Sequence, residues 1–248
     1  MKKMIPTEFT PLFLVILIAL CIFSCKKSAE VTPVKKVTLV TDSITQGQYT
    51  LIFENEDTTY QENGENSRKA LEKTFFTVYP EIAAYFNPNA PRKVTIKIDP
   101  TYSEPADVAV TVNATITLNP SWVLQNQADI DVITHESTHV AQQYKSGGYT
   151  PTWLVEGLAD YSRNKFGVNN AAVGWYIPDY AVGDQYTDGY TTVARFILWA
   201  EAKYQPGIAQ TLDKQLRAGT YSDDGSWTAL TGSTFSQLWN TYILNPYY

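Results

Sequence analysis

The chain has 248 residues, a formal net charge of −6, 44% hydrophobic and 13% aromatic residues, and 2 cysteines. The acidic balance, with no long basic run to offset it, would repel a phosphate backbone and argues against a nucleic-acid partner. With so few cysteines a disulfide framework is excluded, so a packed core has to stabilise the fold.

The chain opens MKKMIPTEFTPLFLVILIALCIFSCKKS: two lysines, an apolar run from Leu12 to Phe23, then Ser24-Cys25. The run is shorter than the ~20 residues a spanning helix needs, so residues 1–24 read as a signal peptide. A small residue directly before a cysteine resembles the bacterial lipobox, which makes Cys25 the expected lipid attachment point. Residues 25–36 are polar with one proline and suit a flexible tether. The expected product is one domain, residues 37–248, held as a monomer on a membrane of the bacterial cell envelope.

Within that domain KVTLVTD (36–42) and YTLIFEN (49–55) are rich in β-branched and aromatic residues and predict strands. SRKALEKTFFTVYPEIAAYF (67–86) predicts a helix capped by Ser67 and bent or interrupted at Pro80. RKVTIKID (92–99) is a further strand. From Val108 to Leu118 apolar and polar residues alternate, which predicts a half-buried strand or a hairpin turning near Asn113, with a free edge available to a peptide backbone.

ADIDVITHESTHVAQQYKSGG (128–148) follows as a helix, with Asp129 and Asp131 at its positive end and Gly147-Gly148 as its stop. TWLVEGLADYSRNKF (152–166) predicts a second helix despite Gly157. Three more are expected around residues 191–204, 207–219 and 234–244, while Asp223-Asp224-Gly225 reads as a loop and not a calcium site. Strands with one helix, then helices only, is an α+β order.

The chemistry concentrates in HESTH. The chain has 2 histidines, and both, His135 and His139, fall there. Four residues apart on a helix they project side by side and can share one ion, while Glu136 points ~100° away, beside the ion but not bound to it. There it can act as general base for a metal-activated water. A catalytic zinc usually takes three protein ligands. A metzincin continuation is excluded, because Gln142 and Lys145 stand where glycine and histidine would be required. On the next helix Glu156 and Asp160 lie one turn apart, so one can bind Zn2+ while the other accepts the outer ring N–H of a histidine. Glu156 as ligand and Asp160 as acceptor is the preferred assignment, though the roles could be exchanged. DGYTTVAR offers Tyr190 and Arg195 as donors to the oxyanion, Tyr190 being the candidate.

Glu-x-x-x-Asp after His-Glu-x-x-His is similar to the thermolysin-type gluzincins. THESTHVAQQY, PTWLVEGLADYSR, GYTTVARFILWAE and YSDDGSWTALTGSTFSQLWNTY together resemble the basic secretory protein family of plants and bacteria, over roughly residues 37–242. That resemblance implies a zincin-like fold, His135, His139 and Glu156 as ligands, Glu136 as catalyst, and a peptide or protein substrate. The acidic charge departs from the family's basic character. The competing expectation is a non-catalytic envelope module that binds glycan or peptide through some of its 6 tryptophans. A purely structural zinc is disfavoured, since closed sites use four protein ligands, often cysteines.

Overall fold

The computed structural model describes residues 39–145 and 147–248. The leader, Cys25 and the tether fall outside the described residues. So does the start of the first expected strand, which is seen as β1, Val40–Gln46.

Strand β1 pairs antiparallel with β2 (Tyr49–Asn55), which pairs parallel with β3 (Lys93–Ile98). The expected hairpin forms as β4 (Ala109–Val112) and β5 (Thr115–Leu118), turning at Asn113, whose φ of 56° suits an asparagine. β5 lies parallel to β3, so the sheet order is β1-β2-β3-β5-β4 and β4 is an edge. Alternation puts Leu51, Phe53, Val94, Ile96, Ile98, Ile116 and Leu118 on the buried face.

The crossover from β2 to β3 carries α1 (Thr58–Asn63) and α2 (Glu65–Phe86). Phe75, Val78, Tyr79 and Ile82 recur at helical spacing and fill the core beside the sheet. Two local expectations are corrected here. Ser67 is not the cap: the helix begins two residues earlier, and Ser67 is buried inside it, accepting from the Tyr60 hydroxyl at 3.3 Å. Pro80 does not interrupt the helix, which runs through it to Phe86 with buried residues on both flanks.

After β5 the described chain is helical: α3 (Pro120–Gln125), α4 (Val132–Gln142), α5 (Thr152–Phe166), α6 (Tyr190–Lys203), α7 (Ile208–Ala218), α8 (Asp223–Thr231) and α9 (Phe235–Leu244). This is the α+β order expected, a mixed sheet followed by helices. Asp223-Asp224-Gly225 is not a loop but the first turn of α8, where two acidic residues suit the positive helix end. Four tryptophans, Trp153, Trp199, Trp227 and Trp239, sit in the core. None of the described helices is long and apolar enough to cross a membrane.

Candidate metal centre

Helix α4 lies at the centre of the molecule. Nine of its residues, from Val132 to Gln142, are buried, and small side chains such as Ser137, Thr138 and Ala141 let α2, α5 and the hairpin approach it. His135 and His139 are its half-buried residues, and they open into a cleft of about 870 Å3.

Both ends of α4 are tied to other elements. At its start Asp131 is fully buried and accepts from the Thr134 hydroxyl (2.8 Å), Val168 N (2.9 Å) and Asn169 N (2.6 Å), so it grips the segment leaving α5. Asp129 instead pairs with Arg163 of α5. The helix stops at Gln142, well short of Gly147, because Gln143 adopts φ +43°. Its last carbonyls are taken up without a glycine cap: Val140 O by Gln143 Nε2 (2.9 Å), Ala141 O by Asn87 Nδ2 (2.9 Å) and Gln142 O by Arg217 Nη1 (3.4 Å).

Helix α5 packs along α4 and α6, and Gly157 marks its tightest approach: a Cβ there would lie 2.3 Å from Val193 Cγ1 of α6. Glu156 and Asp160 both point from α5 at α4. His135 Nδ1 donates to Asp160 Oδ1 at 2.8 Å, and His139 Nδ1 donates to Gln142 Oε1 at 2.7 Å. The Gln142 amide is oriented by its Nε2, which donates to Val155 O at 3.2 Å. Both outer nitrogens therefore carry protons, and it is the Nε2 atoms that turn inward, each with a lone pair to offer an ion once it carries no proton. The two Nε2 atoms are 3.2 Å apart, and Glu156 Oε2 lies 3.2 Å and 3.5 Å from them.

His135, His139 and Glu156 thus bring three Lewis bases within 4.8 Å of one another. Such a set needs a cation or a proton between its members. Burial opposes charge on His135, but its bonds to Asp160 and Glu156 and the charge of Glu136 outweigh that and push its pKa up to about 10. Burial likewise opposes the Glu156 charge, and its bonds to the two histidines hold it far below the usual carboxylate range. The donor set of two imidazoles and a carboxylate, each histidine braced from behind, fits Zn2+.

Glu136 is 6% exposed and stands beside this cluster without joining it. Its Oε2 accepts from the Thr111 hydroxyl of β4 at 2.6 Å. Tyr190 opens α6 at the cleft rim, its ring stacked 6.2 Å from that of His135. Its φ of 42° is unusual for a tyrosine, and at Gly189 before it, at φ +67°, an added Cβ would lie 3.5 Å from Trp153 Cα. Burial, then the charges of Glu156, Asp160 and Glu136, raise the Tyr190 pKa, so the phenol keeps its proton. Arg195, the other donor offered by that segment, is not in the cleft: it is buried, pairs with Asp179 at 2.8 Å and stacks on Tyr248.

Sequence reasoning missed two partners. Gln142 stands three residues after His139 on the same helix, a spacing that reaches an outer ring nitrogen. Thr111 comes from a strand 25 residues away, and no local pattern announces it.

Solved structures similar to this chain include a mutant of a two-domain M1 zinc metallopeptidase bound to L-tryptophan (15% identity, 83% of this chain, 51% of that one, TM-score 0.48). Another is an M1 zinc metallopeptidase from Deinococcus radiodurans (11%, 83%, 51%, TM-score 0.46). The chain spans about half the length of these structures. No curated protein sequence matches it. The family model described as peptidase of plants and bacteria, BSP, matches residues 57–242. Since that match takes in the sheet from β3 onward, both helices of the centre and the helices behind them, the chain belongs to the BSP family of peptidases of plants and bacteria.

Proposed function

We propose that the protein is a zinc-dependent peptidase with a zincin-like fold, held by a lipid on Cys25 at a membrane of the bacterial cell envelope and acting as a monomer on peptide or protein. The observation that carries this reading is the convergence of His135, His139 and Glu156, with Glu136 unligated beside them, in one cleft.

In this reading His135, His139 and Glu156 would hold Zn2+, which would supply a Lewis acid able to acidify water and polarise a peptide carbonyl. Asp160 and Gln142 keep the Nδ1 protons of His135 and His139 in place, so that both Nε2 lone pairs face the ion. Because Glu136 Oε2 is bonded to Thr111, Oε1 is the atom that takes a proton from water and returns it to the leaving amine. Tyr190 Oη, still protonated, donates to the carbonyl oxygen as negative charge grows there.

Substrate lies along β4. Asn119 N donates to Val108 O (3.1 Å), so the pairs bonded across the hairpin fall at Val108, Val110 and Val112. The N–H and C=O of Ala109 and Thr111 then point off the free edge, into the cleft, where a peptide can add as a strand. A glycan- or peptide-binding module would use exposed tryptophans, and four of the six are core.

The test is metal analysis of the purified domain with cleavage of a mixed peptide library by the parent and Glu136→Gln. The variant should retain zinc and lose hydrolysis. Equal cleavage by both would end the proposal.

A further inference from the structure

We infer that Thr111 is the positioning residue of the general base, and that it links base to substrate because its own backbone is a docking point for the peptide. This inference rests on the peptidase reading.

Glu136 has three rotatable side-chain bonds and sits among like charges, with Glu156 and Asp160 on the facing helix. Nothing on α4 fixes its carboxylate. The bond that does is the 2.6 Å contact from Thr111 Oγ1 to Oε2, and the same hydroxyl lies 3.4 Å from Glu136 O, so it is seated against both ends of the residue. Hydrogen bonds to a charged acceptor are short and strongly directional. With Oε2 held, Oε1 is left to face the reacting water.

The position of Thr111 on the strand matters as much as its hydroxyl. Side chains alternate along β4: Val110 and Val112 are exposed on one face, while Ala109 and Thr111 are half-buried on the face toward α4. Backbone groups alternate too, and those of Thr111 point off the edge. Tyr102 supports this parity, since its hydroxyl donates to Ala109 O at 3.0 Å, from outside the sheet. Tyr102 thereby occupies the Ala109 carbonyl and leaves Thr111 with an open N–H and C=O. A peptide that adds to the edge bonds to Thr111, restrains it, and through Oγ1 restrains Glu136. Substrate docking and base alignment then share one residue.

Thr111→Val is isosteric and removes only the hydroxyl, Thr111→Ala removes it without a branched side chain, and Thr111→Ser keeps it. On a peptide that the parent cleaves, Thr111→Val should lower kcat by about 10- to 100-fold, the range for losing a bond to a charged group. KM should stay within about twofold, because backbone docking is retained, and zinc content should not change. Thr111→Ser should restore most of kcat. In inactive Glu136→Gln, adding Thr111→Val should leave peptide affinity and zinc content unchanged. A parental kcat in Thr111→Val and Thr111→Ala, a loss that serine does not repair, or weaker peptide binding when Thr111→Val is added to Glu136→Gln overturns the inference. A parent that binds zinc yet cleaves no peptide sinks the peptidase reading itself. An active parent indifferent to the hydroxyl sinks this inference alone.

Discussion

Gly157 separates Glu156 from the turn that carries Asp160, and replacing it with alanine tests how the centre is held. On propensity alone the change should help, since alanine is favoured over glycine inside a helix by ~1 kcal/mol. The added Cβ, however, would lie 2.3 Å from Val193 Cγ1 and 2.6 Å from Val193 Cβ, and Val193 is fully buried. Ordinary contact begins at 3.4 Å, so α5 and α6 must part by roughly 1 Å along their most extensive joint. Overpacking of this kind costs ~1–3 kcal/mol, and two simultaneous clashes place it at the upper end. The net loss is ~2 kcal/mol, or ~4–8 °C in Tm for a domain of this size. Urea denaturation of Gly157→Ala, Val193→Ala and the pair gives a double-mutant cycle in which the second change should recover ~1 kcal/mol or more of the first. Zinc affinity should fall in parallel, because Glu156 adjoins the joint on one side and Tyr190 leads into it on the other. If Gly157→Ala equals or exceeds the parent in stability, or if Val193→Ala brings no relief, close packing is not why glycine stands there.

Two further expectations concern the metal centre. Asp160→Asn keeps an oxygen for His135 Nδ1 but loses its charge, and Gln142→Leu leaves His139 Nδ1 without an acceptor. Each should weaken zinc ~10- to 100-fold in competition with a chelator, the asparagine change toward the lower end, and unchanged affinity would remove these residues from the centre. In metal-free protein His135 has its pKa raised from 6.5 to about 10, so the stability it contributes is fully present below pH 6.5 and is lost as pH rises through 10. Urea midpoints of chelated protein should fall across that window, while zinc-loaded protein, whose Nε2 has no proton to lose, should not share the His135 slope. A flat profile for the chelated form would contradict the assignment.

Local periodicity made part of this molecule legible before any coordinates. His135 and His139 had to share a helical face because 3.6 residues per turn leaves no alternative, and the same spacing aligned Glu156 with Asp160. Strict alternation marked the β segment around Asn113 but left one strand or a hairpin open, and the hairpin is what forms. What escaped depends on partners distant in the chain. The end of α4 is set by Asn87, Gln143 and Arg217, so the search for a glycine stop pointed to Gly147, four residues beyond the actual cap at Gln143. Gly225 disguised the start of α8, although two aspartates in a row are what a helix N-terminus favours. Arg195 shares a segment with Tyr190, yet the twist of α6 turns it toward the C-terminal residues, a direction that spacing alone does not reveal.

The grip of Asp131 on Val168 N and Asn169 N has a thermodynamic consequence. The loop between α4 and α5 ties the two helices at one end, and this carboxylate ties them at the other, so they behave as two rods pinned at both ends. Glu156 is then presented to the histidines at a high effective concentration before any ion arrives, and little chain entropy remains to be lost on binding. Cutting the far pin, for instance with Asp131→Ala, would change that: the ion would have to draw the helices together itself, and part of its binding energy would go to ordering the protein.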